Sequence, residues 1–314
     1  MATSTWADFM VVATCTLGFI SLCKLATHVL WWLWVMFLRP PKNLKHYGSW
    51  AIVTGCTDGI GKALTFELAS RGLNLVLVGR NPRKLHDTWT EIRERHPDAD
   101  ARVVEMDLGS IGGEEIMKRM EEATEGLDVG VLVNNAGTVG SGEPRFFHEG
   151  ELETMEQMIK VNMEGLTWMT KAVIPQMLKK KKGAIINIGS GLTVAFPSYP
   201  LNAVYAATKE YVRMMSRSMS LEYKEKGIDI QCQEPLYVAT KMIKREASWA
   251  ILTAEEYSRS SMRWFGYEKE CEPHPLHSLQ AMFVRLFPDS LINSLLLRFF
   301  TSLRNHSLQS SQPH

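Results

Sequence analysis

From Trp50 onward the chain alternates short, β-rich apolar runs with longer stretches of helical character. The apolar runs are nearly continuous, as expected for parallel strands that are covered on both faces. A regular strand–helix–strand order predicts a doubly wound α/β sheet with right-handed crossovers. The predicted strands are Trp50–Thr54, Leu73–Val78, Arg102–Met106, Val129–Val133, Ala184–Ile188 and Ile228–Gln233. The predicted helices are Gly61–Arg71, Pro82–Arg95, Gly113–Glu125, Glu151–Lys180 and Val204–Lys226.

The N-terminus does not follow this alternation, and Phe9–Leu38 forms one long apolar run. A helix needs roughly 20 apolar residues to cross the hydrocarbon core, so the run predicts an N-terminal transmembrane helix. Asp8 precedes the run, whereas Arg39, Lys42 and Lys45 follow it, and the positive-inside rule then places the rest of the chain in the cytosol. The ionisable side chains within the run are Cys15, Cys23, Lys24 and His28.

Two other interpretations of the apolar run remain open. The first is a signal peptide, although no basic n-region and no A-x-A-like cleavage site precede Trp31. The second is a buried or membrane-surface hairpin that is split at Lys24, with halves too short to span a bilayer.

The regular alternation weakens beyond the last predicted strand. The segment from Val238 to about Glu270 predicts an irregular or helical insertion. The apolar clusters between Leu276 and Leu303 either pack against the sheet or form an amphipathic helix that touches the membrane. The expected organisation is a membrane anchor and linker over 1–46, one α/β domain over 47–304 and a disordered tail over 305–314.

Composition narrows the classes of partner. The net charge is +1, so nothing in the charge balance favours nucleic-acid binding. The five cysteines are scattered and lack CxxC spacing, which argues against a disulfide framework and against a metal site. We therefore expect reduced thiols in a cytosolic fold.

A glycine-rich turn follows the first predicted strand and precedes the first predicted helix of the sheet. Such a turn lets the backbone approach a pyrophosphate, whose charge then rests on the helix N-terminus. A purely structural turn uses the same residue types, but the position between a strand and a helix favours a nucleotide site. The predicted binding residues of the turn are Gly55, Thr57, Asp58, Gly59, Ile60 and Gly61.

The end of the second strand carries the signal for cofactor type. An acidic residue there would bind the 2′-hydroxyl of NAD, but the strand ends Gly79-Arg80-Asn81 without a carboxylate. Arg80 offers a planar cation for a 2′-phosphate, and Lys84 lies one turn later as a second charge. This pattern favours NADP over NAD.

Tyr205 and Lys209 form the strongest catalytic candidate. Four residues apart on a predicted helix, they share one face. A nearby ammonium lowers the pKa of a phenol, so the pair predicts a proton donor for a carbonyl that becomes an alkoxide. Ser190 follows the fifth strand, where its hydroxyl would hold the substrate oxygen.

The residues above resemble the short-chain dehydrogenase/reductase family over about Trp50–Thr240. The resemblance implies a Rossmann-type fold, hydride transfer from NADP(H) to a carbonyl carbon, and protonation by Tyr205. The matching residues in chain order are TGCTDGIG at 54–61, Asp107, NNAG at 134–137, Asn162, Ser190, Tyr205, Lys209 and the segment 235–240.

The same resemblance implies a role for several further residues. Asp107 would help to hold the adenine, and Thr240 would contact the nicotinamide carboxamide. Asn162 would hold a water that is linked to Lys209 in a proton relay. For Asn162 a helix cap, and for Asp107 a simple turn, remain alternative roles. The cofactor would also contact Asn135, Ala136, Gly137, Val238, Tyr205 and Lys209.

Three further stretches, LRPPKNLKHYGSWAIVTGCTDGIGKA, KKKKGAIINIGSG and PLYVATKM, are similar to the membrane-bound very-long-chain 3-oxoacyl-CoA reductases, particularly the plant β-ketoacyl reductases. That similarity implies a long-chain acyl-CoA substrate, contact with membrane lipid, an endoplasmic-reticulum location facing the cytosol, and elongase subunits as partners. Members of the wider family often form homodimers through two long helices.

The chain departs from the family pattern after the sixth strand. Short-chain enzymes often have Pro-Gly where this chain has Pro235-Leu236, so the loop must differ. Glu234 stands where the related reductases usually carry an apolar residue, and it lies either close to the nicotinamide or at the surface. Two alternatives therefore remain: a hydroxysteroid or other lipid-ketone dehydrogenase, and a weakly active or non-catalytic subunit of an elongase complex.

Overall fold

The computed structural model describes residues 2–140, 142–243 and 246–310, and the chain divides into two compact units, Met1–Pro40 and Pro41–His314. The boundary lies earlier than the predicted one after residue 46, because the linker already belongs to the second unit. Lys42 Nζ donates to Asp229 Oδ2 at 2.9 Å, and Leu44 is 2% exposed within the main core.

The first unit is one continuous helix, α1 (Ala2–Leu33), which a π-helical turn extends to Leu38. Because the helix runs through Lys24 without a break, the alternative of a hairpin split there is wrong. The span Thr5–Leu38 is long and apolar enough to cross a membrane, with a mean hydropathy of 1.9. Hydroxyls within it donate to carbonyls four residues earlier, as Thr14 and Ser21 do at 2.8 Å, which satisfies polar groups that a bilayer would leave unpaired.

A seven-stranded parallel sheet forms the centre of the second unit, in the order β3-β2-β1-β4-β5-β6-β9. The doubly wound α/β prediction is confirmed. All six predicted strands are present with ends shifted by at most one residue, and the short edge strand β9 was not predicted. The strands are β1 (Trp50–Thr54), β2 (Asn74–Gly79), β3 (Ala101–Glu105), β4 (Val129–Asn134), β5 (Gly183–Ile188), β6 (Ile228–Gln233), β7 (Val238–Ala239), β8 (Leu252–Thr253) and β9 (Glu270–Cys271).

Helices cover both faces of this sheet. The predicted helix Glu151–Lys180 is interrupted by a π-helical turn at Lys160–Gly165, which separates α5 from α6. The predicted insertion contains β7, β8 and one helix, α9. The helices of the second unit are α2 (Gly59–Ser70), α3 (Pro82–Arg95), α4 (Gly113–Thr124), α5 (Leu152–Ile159), α6 (Leu166–Lys180), α7 (Leu192–Ala195), α8 (Ala203–Tyr223), α9 (Ala254–Met262), α10 (Pro275–Val284) and α11 (Asp289–Ser310).

Strand periodicity explains why the apolar runs are continuous. Along β1, Ala51 and Val53 face the core under α2 and α3, whereas Ile52 faces the core under α4 and α6. Helices exclude water from both faces of the sheet at β1, so this strand carries apolar side chains on both faces. The crossovers diverge between β1 and β4, and a crevice opens outside the carboxyl ends of these strands.

The C-terminal segment is more ordered than the sequence predicts. Helix α11 continues to Ser310, so a disordered tail over residues 305–310 is wrong, and residues 311–314 lie outside the described part of the chain. Contacts with the rest of the fold hold the helix: among them, Phe300 is 5% exposed and packs edge-on against Tyr199, and Arg304 pairs with Glu149.

A buried carboxyl group lies between the end of β6 and α8. Glu234 is 1% exposed, and its Oε1 lies 3.3 Å from Arg213 Nε without the alignment of a hydrogen bond. The expectation of a surface carboxylate is therefore wrong. Burial raises the pKa of Glu234 to about 9, against the opposing effect of Arg213.

We predict that Glu234→Gln stabilises the fold increasingly as the pH rises. The pKa of Glu234 is about 4.3 in the unfolded chain and about 9 in the folded protein. Between these two pH values only the unfolded chain ionises this carboxyl, so the free energy of unfolding falls as the pH rises. Thermal unfolding in detergent should show a small difference from wild type at pH 5 and a clear gain at pH 8. Glu210→Gln, which removes a more exposed partner of the same Arg213, is the control. A lower unfolding temperature of Glu234→Gln at pH 8 would contradict the assignment.

Candidate active site

The turn after β1 has a backbone that only glycine fits. Gly55 and Gly59 have φ of +66° and +51°, the left-handed region that disfavours side chains. A Cβ at Gly59 would lie 2.9 Å from Thr240 Cγ2, and one at Gly61 would collide with Asn135 Nδ2. The turn thus packs directly against both the β4 end and the segment after β7, two other parts of the predicted site.

The NNAG segment fastens this turn to the sheet. Thr54 Oγ1 accepts hydrogen bonds from the N–H groups of Asn135 and Ala136, each at 3.0 Å. Asn135 Nδ2 donates in return to the carbonyls of Thr54 and Gly55 at 3.1 and 3.2 Å. Asn134 Nδ2 donates to Asn187 Oδ1 at 2.8 Å, joining β4 to β5 beneath the crevice.

Asp58 and Val238 hold the turn in place. Asp58 Oδ1 accepts from the N–H of Gly59 at 2.8 Å as the cap of α2, and its Oδ2 pairs with Lys241 at 2.9 Å. Val238 is 2% exposed and packs in a small core cluster with Ile60 at its edge. Because the side chain of Val238 is buried in this cluster, only its backbone atoms are available to contact a cofactor.

Two cations stand free at the end of β2. Arg80 and Lys84 are exposed, and neither forms an ion pair with another residue in the described ranges 2–140, 142–243 and 246–310. A Cβ at Gly79 would lie 3.6 Å from Thr57 Cγ2, so the strand end approaches the glycine turn closely. A phosphate near this turn would find both charges available.

Asp107 serves its own turn in this structure. Its Oδ1 accepts from the N–H of Gly109 at 3.0 Å, and its Oδ2 accepts from the Ser110 hydroxyl at 3.1 Å. The contacts of Asp107 in the structure are therefore those of a turn former, which was the alternative role given for it from the sequence.

The catalytic candidates meet at the start of α8. Tyr205 hydrogen-bonds Ser190, and Lys209 Nζ lies 5.9 Å from the centroid of the Tyr205 ring. Lys209 is 6% exposed and donates to the Ile188 carbonyl at the end of β5, at 3.0 Å. The structure brings these predicted side chains together at the carboxyl edge of the sheet.

Asn162 faces the same group from the π-helical turn. Its Nδ2 donates to the Thr138 carbonyl and to Thr208 Oγ1 at 2.9 and 3.0 Å, and its Oδ1 accepts from the Thr138 N–H at 2.8 Å. A Cβ at Gly137 would lie 3.4 Å from Asn162 Oδ1 and 3.5 Å from Lys209 Nζ. Glycine therefore keeps a small gap open between these groups. Asn162 lies inside the π-helical turn, so its side chain does not act as a helix cap.

Burial sets the protonation states. It raises the pKa of Tyr205 to about 12, against the lowering effect of the Ser190 hydrogen bond. It lowers the pKa of Lys209 to about 8. The expected lowering of the Tyr205 pKa by Lys209 is not seen, because desolvation of the phenol dominates. Near neutral pH the phenol keeps its proton, as a donor must.

A residue that the sequence did not reveal supports the loop after β6. His277 of α10 is fully buried, and its Nδ1 accepts from the Leu236 N–H at 3.3 Å. Its Nε2 is then the protonated nitrogen and donates to the Tyr237 carbonyl at 3.3 Å. Burial lowers the pKa of His277 to about 4, which keeps the ring neutral for this double role.

The same loop lies against Ser190. The Gly191 N–H donates to the Pro235 carbonyl at 2.7 Å, and a Cβ at Gly191 would lie 2.7 Å from Leu236 Cδ2. The side chain of Leu236 thus occupies the space that glycine leaves at 191. This packing, and not a left-handed turn, replaces the usual Pro-Gly.

A cleft opens beside Tyr205, with a cavity volume of about 60 Å³ and a mouth that is open to solvent. The segment between β4 and α5 forms much of its wall. The Arg145 N–H donates to the Leu201 carbonyl at 3.0 Å, linking this segment to the start of α8. The apolar lining residues are Val139, Phe146, Phe147, Met155, Met158 and Leu201.

Helix α11 is fastened to both segments that flank the cleft. Arg304 Nε donates to Glu149 Oε2 at 2.8 Å, and its guanidinium lies 5.1 Å from the Phe146 ring. On the other side, Ser198 donates to Asn293 Oδ1 at 2.6 Å. Together with the contact between Phe300 and Tyr199, these bonds make α11 part of the cleft's framework.

A family model described as short chain dehydrogenase matches residues 49–250. The chain belongs to the short-chain dehydrogenase family. The glycine turn, the NNAG segment and the Ser190–Tyr205–Lys209 group all fall within the matched residues, and α10 and α11 lie outside them.

Three relatives show how far the similarity extends. A very-long-chain 3-oxoacyl-CoA reductase-like protein of Arabidopsis thaliana is 43% identical over 94% of both chains. The very-long-chain 3-oxoacyl-CoA reductase of Anas platyrhynchos is 37% identical over 83% of both chains. The inactive hydroxysteroid dehydrogenase-like protein 1 of Homo sapiens is 36% identical over 79% of this chain and 75% of its own.

A solved structure supports the fold. A short-chain dehydrogenase from Sphingobium yanoikuyae in complex with NADPH is 26% identical, with a TM-score of 0.60. The match covers 68% of this chain and 83% of that one.

We predict that His277→Phe destabilises the second unit. The substitution leaves the Leu236 N–H and the Tyr237 carbonyl without their partner, at a cost of about 1–3 kcal/mol for each buried group that stays unpaired. Thermal unfolding in detergent measures the change, with the exposed His306→Phe as the control. An unfolding temperature equal to that of wild type would show that the loop does not depend on His277.

Proposed function

We propose that this protein is an NADPH-dependent reductase that converts very-long-chain 3-oxoacyl-CoA to 3-hydroxyacyl-CoA in the fatty-acid elongation cycle of the endoplasmic reticulum. The observation that carries the proposal is a half-buried, protonated Tyr205, bonded to Ser190 and beside Lys209, that opens onto a mostly apolar cleft. The two reductase relatives support the acyl-CoA class of substrate.

The residues around the glycine turn fit NADP(H). The turn lacks the Cβ atoms that would close the approach to the backbone, and the unpaired Arg80 and Lys84 suit a 2′-phosphate. In the proposal, Asn135, Ala136, Gly137 and Thr240 line the nicotinamide side, and Asp107 lies on the adenine side. NADPH supplies the hydride, which adds to the carbonyl carbon of the substrate.

The protein's own side chains supply the proton. The hydroxyls of Ser190 and Tyr205 donate hydrogen bonds to the carbonyl oxygen, and Tyr205 gives its proton to the alkoxide that develops. The ammonium of Lys209 stabilises the resulting phenolate, because the buried ammonium lies close to the half-buried ring and is poorly screened. Asn162 and the gap at Gly137 give Lys209 a route by which the proton is replaced.

The location follows from the candidate membrane span and the basic residues after it. In the proposal, Thr5–Leu38 is inserted with Arg39, Lys42 and Lys45 on the cytosolic side, and the second unit lies in the cytosol. A long acyl chain is insoluble, so a reductase tethered to the bilayer meets its substrate where it is made. Contact with other elongase subunits and the formation of a homodimer belong to the same proposal.

A second candidate function is that of a weakly active or non-catalytic elongase subunit. One observation supports it: a human relative is named as an inactive hydroxysteroid dehydrogenase-like protein. The complete group of Asn162, Ser190, Tyr205 and Lys209 argues against an inactive role for this chain. A steroid or other lipid ketone in place of the acyl-CoA would use the same four residues, so the substrate assay must include both.

We predict that Tyr205→Phe abolishes reduction but retains NADPH binding, because only the proton donor is lost. Turnover should fall by about 10²–10⁴-fold, the usual contribution of a general acid. NADPH oxidation by the detergent-solubilised protein with a long-chain 3-oxoacyl-CoA measures it, beside a steroid ketone. Turnover of the steroid alone would support the second substrate class. Near-normal turnover by the variant would refute Tyr205 as the donor.

We predict that Arg80→Glu weakens NADPH but spares NADH, since a carboxylate repels the 2′-phosphate and accepts a bond from the 2′-hydroxyl. The ratio of kcat/KM for the two cofactors measures the change, and Arg83→Glu, an exposed position in the first turn of α3, is the control. An unchanged ratio would remove Arg80 from the site.

A further inference from the structure

The outer faces of α10 and α11, together with the turn between them, form an exposed apolar surface. We define this C-terminal apolar surface by Met282, Phe283, Leu286, Phe287, Leu291 and Leu295. Leu286 is 73% exposed and Phe283 is 60% exposed. Six such side chains within 14 residues exceed the scattered exposure that is ordinary on a soluble protein, and so they indicate an interaction surface.

The surface is not the result of loosely attached helices. Ala281 and His277 are buried beneath α10, and Phe300 is buried beneath α11. Arg285 of α10 donates to the Val194 carbonyl at 2.9 Å and pairs with Glu272 at 3.1 Å. Both helices are thus fixed to the fold by their inner faces, and the apolar residues are held outward.

The charges around the surface are suited to anionic headgroups. Arg298 follows Leu291 by seven residues and Leu295 by three, so it shares their helix face. It is exposed and makes no ion pair with a residue of the described ranges. Asp289 lies in the first turn of α11, where its charge offsets the helix dipole. An arginine among leucines at a helix surface can extend to a lipid phosphate.

We propose that the C-terminal apolar surface lies on a lipid bilayer, with its leucines and phenylalanines at the acyl boundary and Arg298 at the headgroups. The candidate span Thr5–Leu38 in the same chain supplies the reason for choosing a bilayer as the occupant. A tether converts a weak contact into an intramolecular one, so modest apolar area suffices. A second copy of the chain would meet the surface with the same unpaired Arg298, a less favourable match.

The surface is continuous with the framework of the cleft. The helix that carries Leu291 and Leu295 also bonds both segments beside Tyr205, through Asn293 and Arg304. Docked on a bilayer, α11 holds the cleft close to the lipid phase, which suits a substrate that partitions into membranes. This consequence rests on the proposed function, whereas the docking itself does not.

A spin label reports the environment of the surface in the full chain. The label is placed at Leu286→Cys in a background of Cys15→Ser and Cys23→Ser, because the remaining Cys56, Cys232 and Cys271 are buried. The protein is held in nanodiscs of phosphatidylcholine and phosphatidylserine. The matched control is Leu221→Cys on α8, which is 70% exposed against 73% for Leu286.

The collision rates distinguish the occupants. Docking predicts that the Leu286 label collides more with oxygen than with a water-soluble nickel chelate, and that the Leu221 label shows the reverse. Equal access of the nickel chelate to both positions would overturn the proposal. Low collision rates with both agents at Leu286, accompanied by spin–spin broadening, would assign the surface to a second copy and also overturn it.

A second variant tests the consequence for substrate use. Leu286→Glu with Leu291→Glu alters only exposed positions, and it should lower turnover of a bilayer-dissolved long-chain 3-oxoacyl-CoA by roughly five- to tenfold. Turnover of a water-soluble short-chain analogue should stay unchanged. Equal turnover of the long-chain substrate by variant and wild type would refute the coupling to the bilayer. If neither substrate is reduced by wild type, the proposed function fails while the collision result still stands.

Discussion

Burial of Lys209 beneath the carboxyl end of β5 is the constraint on which the rest of the site depends. An ammonium out of water is costly, and the Ile188 carbonyl offsets part of that cost with one hydrogen bond. The price is a pKa near 8, low enough to exchange a proton near neutral pH and high enough to keep the positive charge. Tyr205, half-buried beside it, stays a neutral phenol until it gives its proton to a substrate oxygen.

The surrounding elements are arranged to keep this pair in place. A π-helical turn aims Asn162 at Thr138 and Thr208, and Gly137 leaves the gap between Asn162 and Lys209 unfilled. From the other side, His277 and Leu236 fix the loop against Ser190. Elements from five separate parts of the chain therefore converge at one edge of the sheet, as the switch point of a doubly wound fold requires.

The central sheet was predictable because its strands are apolar on both faces and lie between clear helical stretches. Helix α3 (Pro82–Arg95) matches its predicted bounds, since Pro82 begins it and Asn81 caps it. The residues of the glycine turn lie at the carboxyl end of β1, and Ser190, Tyr205 and Lys209 lie together at the same edge of the sheet. Both placements agree with what the sequence predicted. The prediction of NADP(H) as the cofactor is confirmed by the family match and the NADPH-bound structure, whereas the individual cofactor contacts and the catalytic roles stay predictions.

Other features depend on contacts that no local pattern carries. The π-helical turn at Asn162, the positive φ of 61° at Leu201 and the partnership of Glu234 with Arg213 all arise from distant packing. The pKa of Tyr205 was predicted in the wrong direction, because helix spacing shows the neighbouring charge but not the depth of burial. The order of α11 up to Ser310 depends on Glu149, more than a hundred residues away in sequence.

The most direct test of the account is the fate of deuterium from NADPH labelled at the transferable position of the nicotinamide. Incubation with a long-chain 3-oxoacyl-CoA should give a 3-hydroxyacyl-CoA that mass spectrometry shows to carry one deuterium at C3. Loss of that product in Tyr205→Phe with NADPH still bound would complete the expected result. An unlabelled product, or no product from a folded protein that binds NADPH, would contradict the account.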